Sequence, residues 1–388
     1  MRQGTFQWMK SVNKSIILNK IRTDAPISRA QIAKETKLTP PTVSGNVKEL
    51  IEQGIVKESM LGESQGGRKP TMLLINHQAF YVIGVDAGTA MIKCILVDLS
   101  GKVIQRSSRK LTTPITNAQF LTILKDCIHA VMPASPSISD KVIGIGVAMH
   151  GVVEVETGTS LFAPNLQMTN IPIKDQLEKE FDLEVKVEND ARAMALGESW
   201  FGNHDLVDSM LTVNIGHGVG AGLVVDGKLY HGAQDIAGEV GHMTIDMHGQ
   251  VCECGNQGCL QTFISGPAIV RRAEAQIATN NQPLTAAEIY QSATDGDENY
   301  ITLLKDTGKV IGIGLTNLIH IINPEKIVLG GGVMKSAKFI LPEIRKTIEA
   351  RALTPRAKQT AVTITKHGDD ATLMGAVSLL LVDLFAPV

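Results

Sequence analysis

With 388 residues, 44% of them hydrophobic, the chain is too apolar to be disordered and long enough for two or three folded domains. Its net charge of -2 is unevenly distributed, because residues 1–70 carry twelve Lys or Arg against six Asp or Glu, whereas residues 71–388 carry 25 against 33. The chain therefore has a basic head and an acidic body, which indicates a polyanion partner for the head alone.

The head begins with a pattern typical of helices. Apolar residues recur at amphipathic spacing at Val12, Ile16, Ile17 and Ile21. Ser28 is a natural N-cap for a second helix that starts at Arg29. A third helix is expected from Pro40, because Thr39 can cap it and proline fits the first helical position. Two helices joined by a short turn are typical of a helix-turn-helix.

The third helix is predicted to have two contrasting faces. Its buried stripe consists of Val43, Val47, Leu50 and Ile51. The opposite face is centred on Gly45 and carries Thr42, Ser44, Asn46 and Lys48. These small or hydrogen-bonding side chains suit close approach to base edges and phosphates.

Two predicted strands, around residues 55–58 and 71–74, flank the glycine-rich loop GESQGGRKP, an arrangement typical of a wing. Arg68 and Lys69 at its tip could contact phosphates or a minor groove. A plain linker and an exposed polar helix face are the alternatives. Helix pair, wing and local charge together favour a winged helix-turn-helix DNA-binding domain over residues 1–76. Its candidate DNA contacts are Arg29, Thr42, Ser44, Asn46, Lys48, Arg68 and Lys69.

From residue 80 onward, apolar strands alternate with glycine turns and helices, which predicts an α/β body. IGVDAG near residue 83 recurs approximately as VNIGHGVGAG near residue 213. This recurrence favours a body built from two similar halves.

One histidine and three cysteines lie close together in the body, at His242, Cys252, Cys254 and Cys259. One imidazole and three thiolates form a closed tetrahedral set typical of structural zinc. The spacing is not the common C-x-x-C pair, so a free thiol cluster stays open as an alternative. Cys94 and Cys127 are expected in an apolar core, and His217 and His231 are expected to have surface or packing roles.

Five cysteines, three of them crowded into residues 252–259, favour metal ligation in a reducing cytoplasm over a disulfide framework. No basic start precedes an apolar segment of the signal-peptide type, and no apolar run approaches the ~20 residues that cross a bilayer. We therefore expect a cytoplasmic protein that does not bind membranes.

The segment GEVGHMTIDMHGQVCECGNQGC, residues 238–259, resembles the signature and zinc loop of the ROK family. The head, SRAQIAKETKLTPPTVSGNVKELIEQGIV followed by GGRKP, resembles the repressor branch of that family, of the NagC, Mlc and xylose-repressor type. The resemblance covers essentially the whole chain. It implies an α/β body of the actin-like or hexokinase-like fold over residues 80–388 and structural Zn²⁺ as the cofactor. Lobe one would span about 80–195 plus a C-terminal helix at about 372–388, and lobe two about 196–371.

The resemblance also implies a sugar site. In the family, the residues that match Asn189, Asp190, Glu239 and His242 contact sugar hydroxyls. Gly151 matches a glycine at the pocket rim, although His150 precedes it where the family usually has proline. Gln261 stands where the family normally has a glutamate, which predicts a shifted sugar preference or a lower affinity. Donor and acceptor side chains of these types suit the hydroxyls of a sugar.

Kinases of the family use the residue matching Asp190 as general base, and Asp190 would be the catalytic residue if kinase activity were retained. Their phosphate turn, D-x-G-G-T, reads Asp86-Ala87-Gly88-Thr89-Ala90 here, with one glycine missing. In the second phosphate turn His217 replaces a small threonine. We therefore expect no kinase activity, because phosphoryl transfer depends on positioning the nucleotide phosphates.

Together these features predict a sugar-responsive repressor of carbohydrate-utilisation genes, with xylose as the first candidate sugar. It would bind palindromic operator DNA as a homodimer, and pairing of dimers into tetramers stays open. One alternative is an ATP-dependent sugar kinase with a regulatory DNA-binding head. Another is a body that senses a protein partner such as a sugar-transport component.

Overall fold

A computed structural model describes residues 12–61, 70–202, 207–277 and 284–385. The head contains helices α1 (Val12–Asp24), α2 (Arg29–Thr36) and α3 (Pro40–Glu52). Its strands are β1 (Ile27–Ser28), β2 (Val56–Leu61) and β3 (Thr71–Ile75), which form an antiparallel sheet in the order β1-β3-β2. The head is therefore a winged helix-turn-helix, as the sequence predicts, with α2 and α3 as the helix pair and β2 and β3 as the wing strands.

Both predicted helix caps are present in the head. The Ser28 hydroxyl accepts a hydrogen bond from the backbone N–H of Gln31, and the Thr39 hydroxyl accepts one from Thr42. The buried core of the head includes Ile17, Leu18, Ile21, Ile32, Val43, Val47, Leu50 and Leu73. Val12, where α1 begins, is exposed, whereas Ile17 and Ile21 of the same apolar pattern are buried.

The first lobe is built on a five-stranded sheet with the order β11-β7-β4-β5-β6. Its strands are β4 (Tyr81–Ala87), β5 (Met91–Asp98), β6 (Val103–Lys110), β7 (Val142–Met149) and β11 (Glu184–Asn189). A smaller sheet follows β7 and contains β8 (Val152–Glu154), β9 (Thr159–Ala163) and β10 (Met168–Ile171). The helices of this lobe are α4 (Asn117–His129), α5 (Pro136–Ser139) and α6 (Ile173–Phe181).

The second lobe repeats this sheet, with the order β14-β13-β12-β15-β16. Its strands are β12 (Ser209–Ile215), β13 (Val219–Val225), β14 (Lys228–Tyr230), β15 (Lys326–Gly330) and β16 (Ala361–Ile364). In both sheets the first strand along the chain has an antiparallel neighbour on one side and a parallel neighbour on the other. The two sheets therefore share one topology, in line with the predicted duplication.

The remaining helices complete the second lobe and connect the two sheets. They are α7 (Asp190–Phe201), α8 (Gln261–Ile264), α9 (Gly266–Gln276), α10 (Ala286–Thr294), α11 (Glu298–Ile322), α12 (Ala337–Arg351), α13 (Pro355–Lys358) and α14 (Ala371–Phe385). Single 3₁₀ turns lie at Pro164–Leu166, Val240–His242, Gly332–Ser336 and Gly368–Asp370. Among the described residues, none of the helices combines the length and apolar composition required to span a bilayer.

Helix α14 returns from the C-terminal end of the described chain to the first sheet and packs on β4 and β7. The approach is close enough to need glycine, because a Cβ on Gly146 would lie 1.8 Å from the carbonyl oxygen of Ala376. Helix α14 also crosses α7 in backbone contact, since a Cβ on Gly197 would lie 2.5 Å from the amide nitrogen of Gly375. The two helices therefore form one tightly packed unit.

The head packs against this helix pair. The guanidinium carbon of Arg22 on α1 lies 4.1 Å from the ring centroid of Trp200 on α7 and 5.9 Å from that of Phe385 on α14. Apolar residues of the head and of α14, including Ile21 and Leu381, belong to one continuous core. A cation over an aromatic face is attracted by the ring quadrupole, so this contact links the head to the body.

Candidate functional site

A cavity of about 520 Å³ opens between the two lobes, a volume within the range of small-molecule sites. Strand ends of β4, β7 and β11 reach it from lobe one, and the turn between β12 and β13 reaches it from lobe two. All six residues assigned to a sugar by resemblance line it: Gly151, Asn189, Asp190, Glu239, His242 and Gln261. The fold thus brings together residues that are up to 110 positions apart in the sequence.

Asn189 ends β11 and caps α7. Its Oδ1 accepts hydrogen bonds from the backbone N–H groups of Ala191 and Arg192, and its Nδ2 donates to the carbonyl of Gly151 at 2.9 Å. The cap satisfies two of the helix's free N–H groups. Asn189 therefore fixes the floor of the cavity, and the second Nδ2 hydrogen has no protein partner among the described residues.

Asp190 is the first residue of α7 and lines the cavity. Burial, followed by the nearby charge of Asp86, raises the pKa of Asp190 to about 7, against the lowering effect of the Ala191 N–H. Burial also raises the pKa of Asp86 to about 6, although the Lys93 ammonium 3.7 Å away opposes it. Asn214 Nδ2 lies 3.5 Å from Asp190 Oδ2. The cavity therefore holds two carboxyl groups that titrate near neutral pH.

Glu239 and His242 enter the cavity from the Val240–His242 turn. Burial raises the pKa of Glu239, and the neighbouring His242 opposes that shift. The His242 ring has two different environments, because its Nε2 lies 3.8 Å from Glu239 Oε2 while its Nδ1 lies 3.6 Å from Cys252 Sγ. One ring nitrogen thus faces the cavity carboxylate and the other faces the cysteines.

The four predicted metal ligands come together in the structure. The ligand atoms of His242, Cys252, Cys254 and Cys259 all lie within 4.8 Å of one another. Cys254 Sγ and Cys259 Sγ are 3.7 Å apart. A tetrahedron with zinc–sulfur bonds of about 2.3 Å has edges of roughly 3.8 Å. The donor set and its spacing therefore fit a tetrahedral metal ion.

A buried charged network behind the cavity was not predicted from the sequence. Glu188 accepts hydrogen bonds from Arg192 Nε and His231 Nε2, each at 2.7 Å. Arg192 Nη1 also donates to the Asp235 carbonyl. Burial acts to raise the pKa of Glu188, but His231 and Arg192 together hold it below its ordinary value. The sequence predicted only a surface or packing role for His231, and in the structure the loop between β14 and Glu239 brings it to Glu188.

The four-residue spacing of Glu188 and Arg192 is the one signal in the sequence that could have indicated this network. The network joins the end of β11 to the loop that precedes Glu239. It therefore positions two sides of the cavity relative to each other.

His150 and His217, the two histidines that depart from the family pattern, both line the cavity. His150 is buried, and its Nδ1 lies 3.1 Å from the carbonyl oxygen of Ala87. A carbonyl can only accept, so Nδ1 carries the proton and Nε2 is a bare acceptor without a partner among the described residues. Burial lowers the pKa of His150, which keeps the ring neutral.

The glycines at Gly330-Gly331-Gly332 follow β15 and serve a chain reversal. Gly331 has φ +86°, and a Cβ there would lie 2.4 Å from the carbonyl oxygen of Ile215. This backbone conformation and close approach account for the glycine, so a contact with a nucleotide is not needed to explain it.

The exposed face of α3 carries most of the predicted DNA contacts. Lys48 is 77% exposed and only loosely paired with Glu52, at 3.8 Å. Ser44 is exposed, and Thr42 is half-buried with its hydroxyl 2.8 Å from that of Thr39. Asn46 donates its amide hydrogen to the Thr42 carbonyl, which leaves Oδ1 as an acceptor.

The other predicted contacts differ in status. Arg29 Nη2 donates to Glu58 Oε1 at 2.9 Å, so a phosphate would have to compete for this guanidinium. Arg68 and Lys69 lie outside the described residues. The wing contact to DNA therefore stays a prediction.

The chain combines a winged helix-turn-helix head with two lobes that have a cavity between them. This arrangement defines a class of two-lobed, actin-like proteins with a head of the DNA-binding type. Residues 82–382 match the model of the ROK family, and residues 14–57 match that of winged helix-turn-helix DNA-binding domains. The chain belongs to the ROK family.

Known relatives include both regulators and kinases. The xylose repressor of Caldicellulosiruptor bescii is 32% identical over 99% of this chain and 98% of its own length. The crystal structure of a ROK family transcriptional regulator, a homologue of the Escherichia coli MLC protein, is 29% identical with a TM-score of 0.83, covering 96% of this chain and 97% of that one. A Streptomyces griseus ROK glucokinase, solved with glucose and AMPPNP, is 29% identical with a TM-score of 0.69, covering 77% of this chain and 98% of that one.

Proposed function

We propose that the protein is a sugar-responsive transcriptional repressor of carbohydrate-utilisation genes, of the xylose-repressor type. The observation that carries this proposal is the presence in one chain of a winged helix-turn-helix head and an interlobe cavity lined by all six candidate sugar residues. The full-length relative named as a xylose repressor supports it. Gel shift of the purified protein on its own upstream DNA, with and without D-xylose, tests it. Retention without sugar and release with it are expected.

In this proposal, the sugar hydroxyls bind to Asp190, Glu239 and His242 Nε2, while Asn189 uses its remaining Nδ2 hydrogen. Gly151 and Gln261 would complete the rim. Carboxylates accept hydrogen bonds from hydroxyls, whereas the Asn189 amide N–H and the His242 Nε2–H donate to hydroxyl oxygens. The raised pKa values of Asp190 and Glu239 favour their neutral forms relative to ordinary carboxyl groups.

We propose that His242, Cys252, Cys254 and Cys259 bind a structural Zn²⁺ ion. Nδ1 of His242 faces Cys252 Sγ, which leaves Nε2 for the cavity. A closed tetrahedral site of this kind stabilises the fold of its loop. The cysteine loop would then hold the His242 ring in the orientation that the sugar requires, and metal occupancy would be coupled to sensing.

Removal of one thiolate should remove the metal. We expect the zinc content to fall from about one ion per chain in the parent to a small fraction of that in Cys259→Ser, because three donors no longer close the site. The variant should also melt at a lower temperature. Metal analysis by mass spectrometry and thermal unfolding measure both effects. Cys127→Ser, in the core of lobe one, is the matched control and should keep its zinc. Full zinc content in Cys259→Ser would contradict the ligand assignment.

We propose that two chains form a homodimer that presents two heads to a palindromic operator. Helix α3 would enter the major groove with Thr42, Ser44, Asn46 and Lys48, and Arg29 would lie nearby. The wing residues Arg68 and Lys69 would contact phosphates or the minor groove.

The domain limits at residues 76 and 80, the lobe limits and the cytoplasmic location likewise stay predictions.

The salt dependence of operator binding tests the role of Lys48. Because its exposed ammonium is available to neutralise a phosphate, Lys48→Ala should reduce the slope of log K against log salt by about 0.9 per chain. Fluorescence anisotropy with labelled operator at several salt concentrations measures it. Lys309→Ala, an exposed lysine on α11 in the body, is the control and should leave the slope unchanged. An unchanged slope in Lys48→Ala would contradict the proposed face.

We infer that α7 transmits sugar binding to the head. This helix begins at Asp190 in the cavity and carries Trp200 near its other end, about 15 Å away at 1.5 Å per residue. Trp200 lies under the Arg22 guanidinium of the head. Closure of the lobes on a sugar would shift α7 together with α14 and alter this contact. The population of head arrangements that fit the operator would then decrease.

A retained ATP-dependent sugar kinase is the second candidate, and the similarity to the S. griseus glucokinase favours testing it. We propose that kinase activity is absent. In the first phosphate turn, Asp86-Ala87-Gly88-Thr89-Ala90 lacks one glycine of the D-x-G-G-T pattern, and His217 places a ring at the cavity wall in the second turn.

A further inference from the structure

Two large apolar side chains that line the cavity are accessible to water. Phe162 on β9 is 47% exposed and Ile236, in the loop before Glu239, is 52% exposed. They come from opposite lobes. Apolar surface exposed inside a binding cavity gains free energy when a ligand covers it. The two residues therefore point to a ligand that has an apolar surface as well as hydroxyl groups.

The backbone of Phe162 is in close contact with the turn that holds Asn189. Gly151 has φ +88°, and a Cβ on it would lie only 2.2 Å from the carbonyl oxygen of Phe162. The Gly151 carbonyl in turn accepts the 2.9 Å hydrogen bond from Asn189 Nδ2. This sequence of contacts fixes the end of β9 beside the polar floor of the cavity.

Ile236 is held at the same lobe boundary. The preceding residue, Asp235, accepts a hydrogen bond at its Oδ2 from the backbone N–H of Val155, directly after β8. Its carbonyl accepts a second hydrogen bond, from the buried Arg192. Since β8 pairs with β9 at Val152 and Phe162, the Ile236 loop is tied to the hairpin that carries Phe162. The segments that carry the two apolar side chains are therefore tied together beside the cavity.

A pyranose ring presents hydroxyls around its edge, and it presents axial C–H groups on its faces when all its hydroxyls are equatorial. We infer that Phe162 and Ile236 form an apolar rim that packs on the C–H face of the bound sugar, and that the cavity selects pyranoses whose ring hydroxyls are all equatorial. This inference rests on the proposed sugar-sensing function. An axial hydroxyl turned toward the Phe162 ring would lose its hydrogen bonds to water without replacement.

Calorimetric titration of the full chain with D-xylose and with its C4 epimer L-arabinose tests the inference. The parent chain should bind D-xylose more tightly. Phe162→Ala should weaken D-xylose binding by about twofold to tenfold, the range for one aromatic contact, and should weaken L-arabinose binding less. The preference ratio between the epimers therefore falls. The D-xylose affinity of Phe162→Leu should lie between those of the parent chain and Phe162→Ala, because leucine keeps apolar area without the aromatic ring.

Leu161→Ala is the matched control. Leu161 is the neighbouring residue of the same strand and 38% exposed, but it is not among the residues that line the cavity. It should keep both the affinity and the preference ratio of the parent chain. Ile236→Ala repeats the test from the other lobe, so that a folding defect at position 162 does not decide the result.

Different results would overturn different claims. If the parent chain binds sugar but both rim variants match Leu161→Ala in affinity and ratio, the apolar rim is wrong. Equal parent affinities for the two epimers would also overturn it. If D-glucose is bound instead of D-xylose, D-galactose replaces L-arabinose as the epimer and the same expectations hold. If no sugar binds the parent chain, the proposed function fails, and the rim inference fails with it.

Discussion

Asp190→Asn should bind operator DNA as tightly as the parent chain and should stay bound when sugar is added. The amide keeps the size of the side chain but removes a charged acceptor from the cavity wall. Loss of a charge-assisted hydrogen bond corresponds to about tenfold to hundredfold weaker sugar binding. Calorimetry at pH 8, where the parent carboxyl is mostly ionised, measures the sugar affinity, and gel shift measures release.

The same substitution should stabilise the fold at high pH. Because the pKa of Asp190 rises from 3.8 to about 7 on folding, its contribution to stability is fully present below about pH 4 and is lost as pH rises through 7. An asparagine has no such loss. The difference in free energy of unfolding between Asp190→Asn and the parent should increase in favour of the variant as pH rises from 4 to 8. With partial solvent screening taken into account, this increase should be on the order of 2 kcal/mol. Urea unfolding at both pH values measures this difference.

Asp126→Asn, at an exposed position on α4, is the control and should change neither sugar release nor the pH dependence. A fall in sugar affinity with no gain in stability would contradict the description of Asp190 as a buried carboxyl with a raised pKa.

The parent chain should release no ADP when mixed with ATP, Mg²⁺ and sugars. Sugar-dependent ADP release that disappears in Asp190→Asn would instead establish a kinase.

Trp200→Ala should separate sugar binding from operator release. Trp200 lies at the far end of α7 from Asp190 and stacks on Arg22 of the head. Its loss leaves the cavity residues unchanged, so sugar affinity should stay within about twofold. The factor by which sugar weakens operator binding should fall by about twofold to thirtyfold, which corresponds to one cation–π contact.

Arg22→Gln tests the same contact from the head and removes the cation with a smaller loss of packing. The control is Tyr290→Ala, which removes an aromatic side chain from the Tyr290–Phe339 pair in lobe two. Operator affinity measured by anisotropy over a sugar titration gives the coupling factor of each variant. An unchanged factor in both Trp200→Ala and Arg22→Gln would exclude this route from cavity to head.

The two-lobed body and its cavity were predictable because their signals are local or depend on a recognisable family pattern. Each helix cap, at Ser28 and at Thr39-Pro40, can be predicted from residues within one helical turn, and both caps are present. The glycine-rich strand turns and the cysteine segment are contiguous. The candidate sugar and metal residues could therefore be named from short motifs, and the fold brings each set together.

By itself, the sequence determined the order of head and body, the helix caps, the duplicated strand pattern and the donor types of the metal site, because each is encoded in neighbouring residues. Only the tertiary structure decided which groups meet across long separations. His231 hydrogen-bonds Glu188, Arg22 stacks on Trp200, and Phe162 and Ile236 line one cavity from opposite lobes. Such contacts depend on how distant elements pack together, and no spacing along the chain specifies that packing.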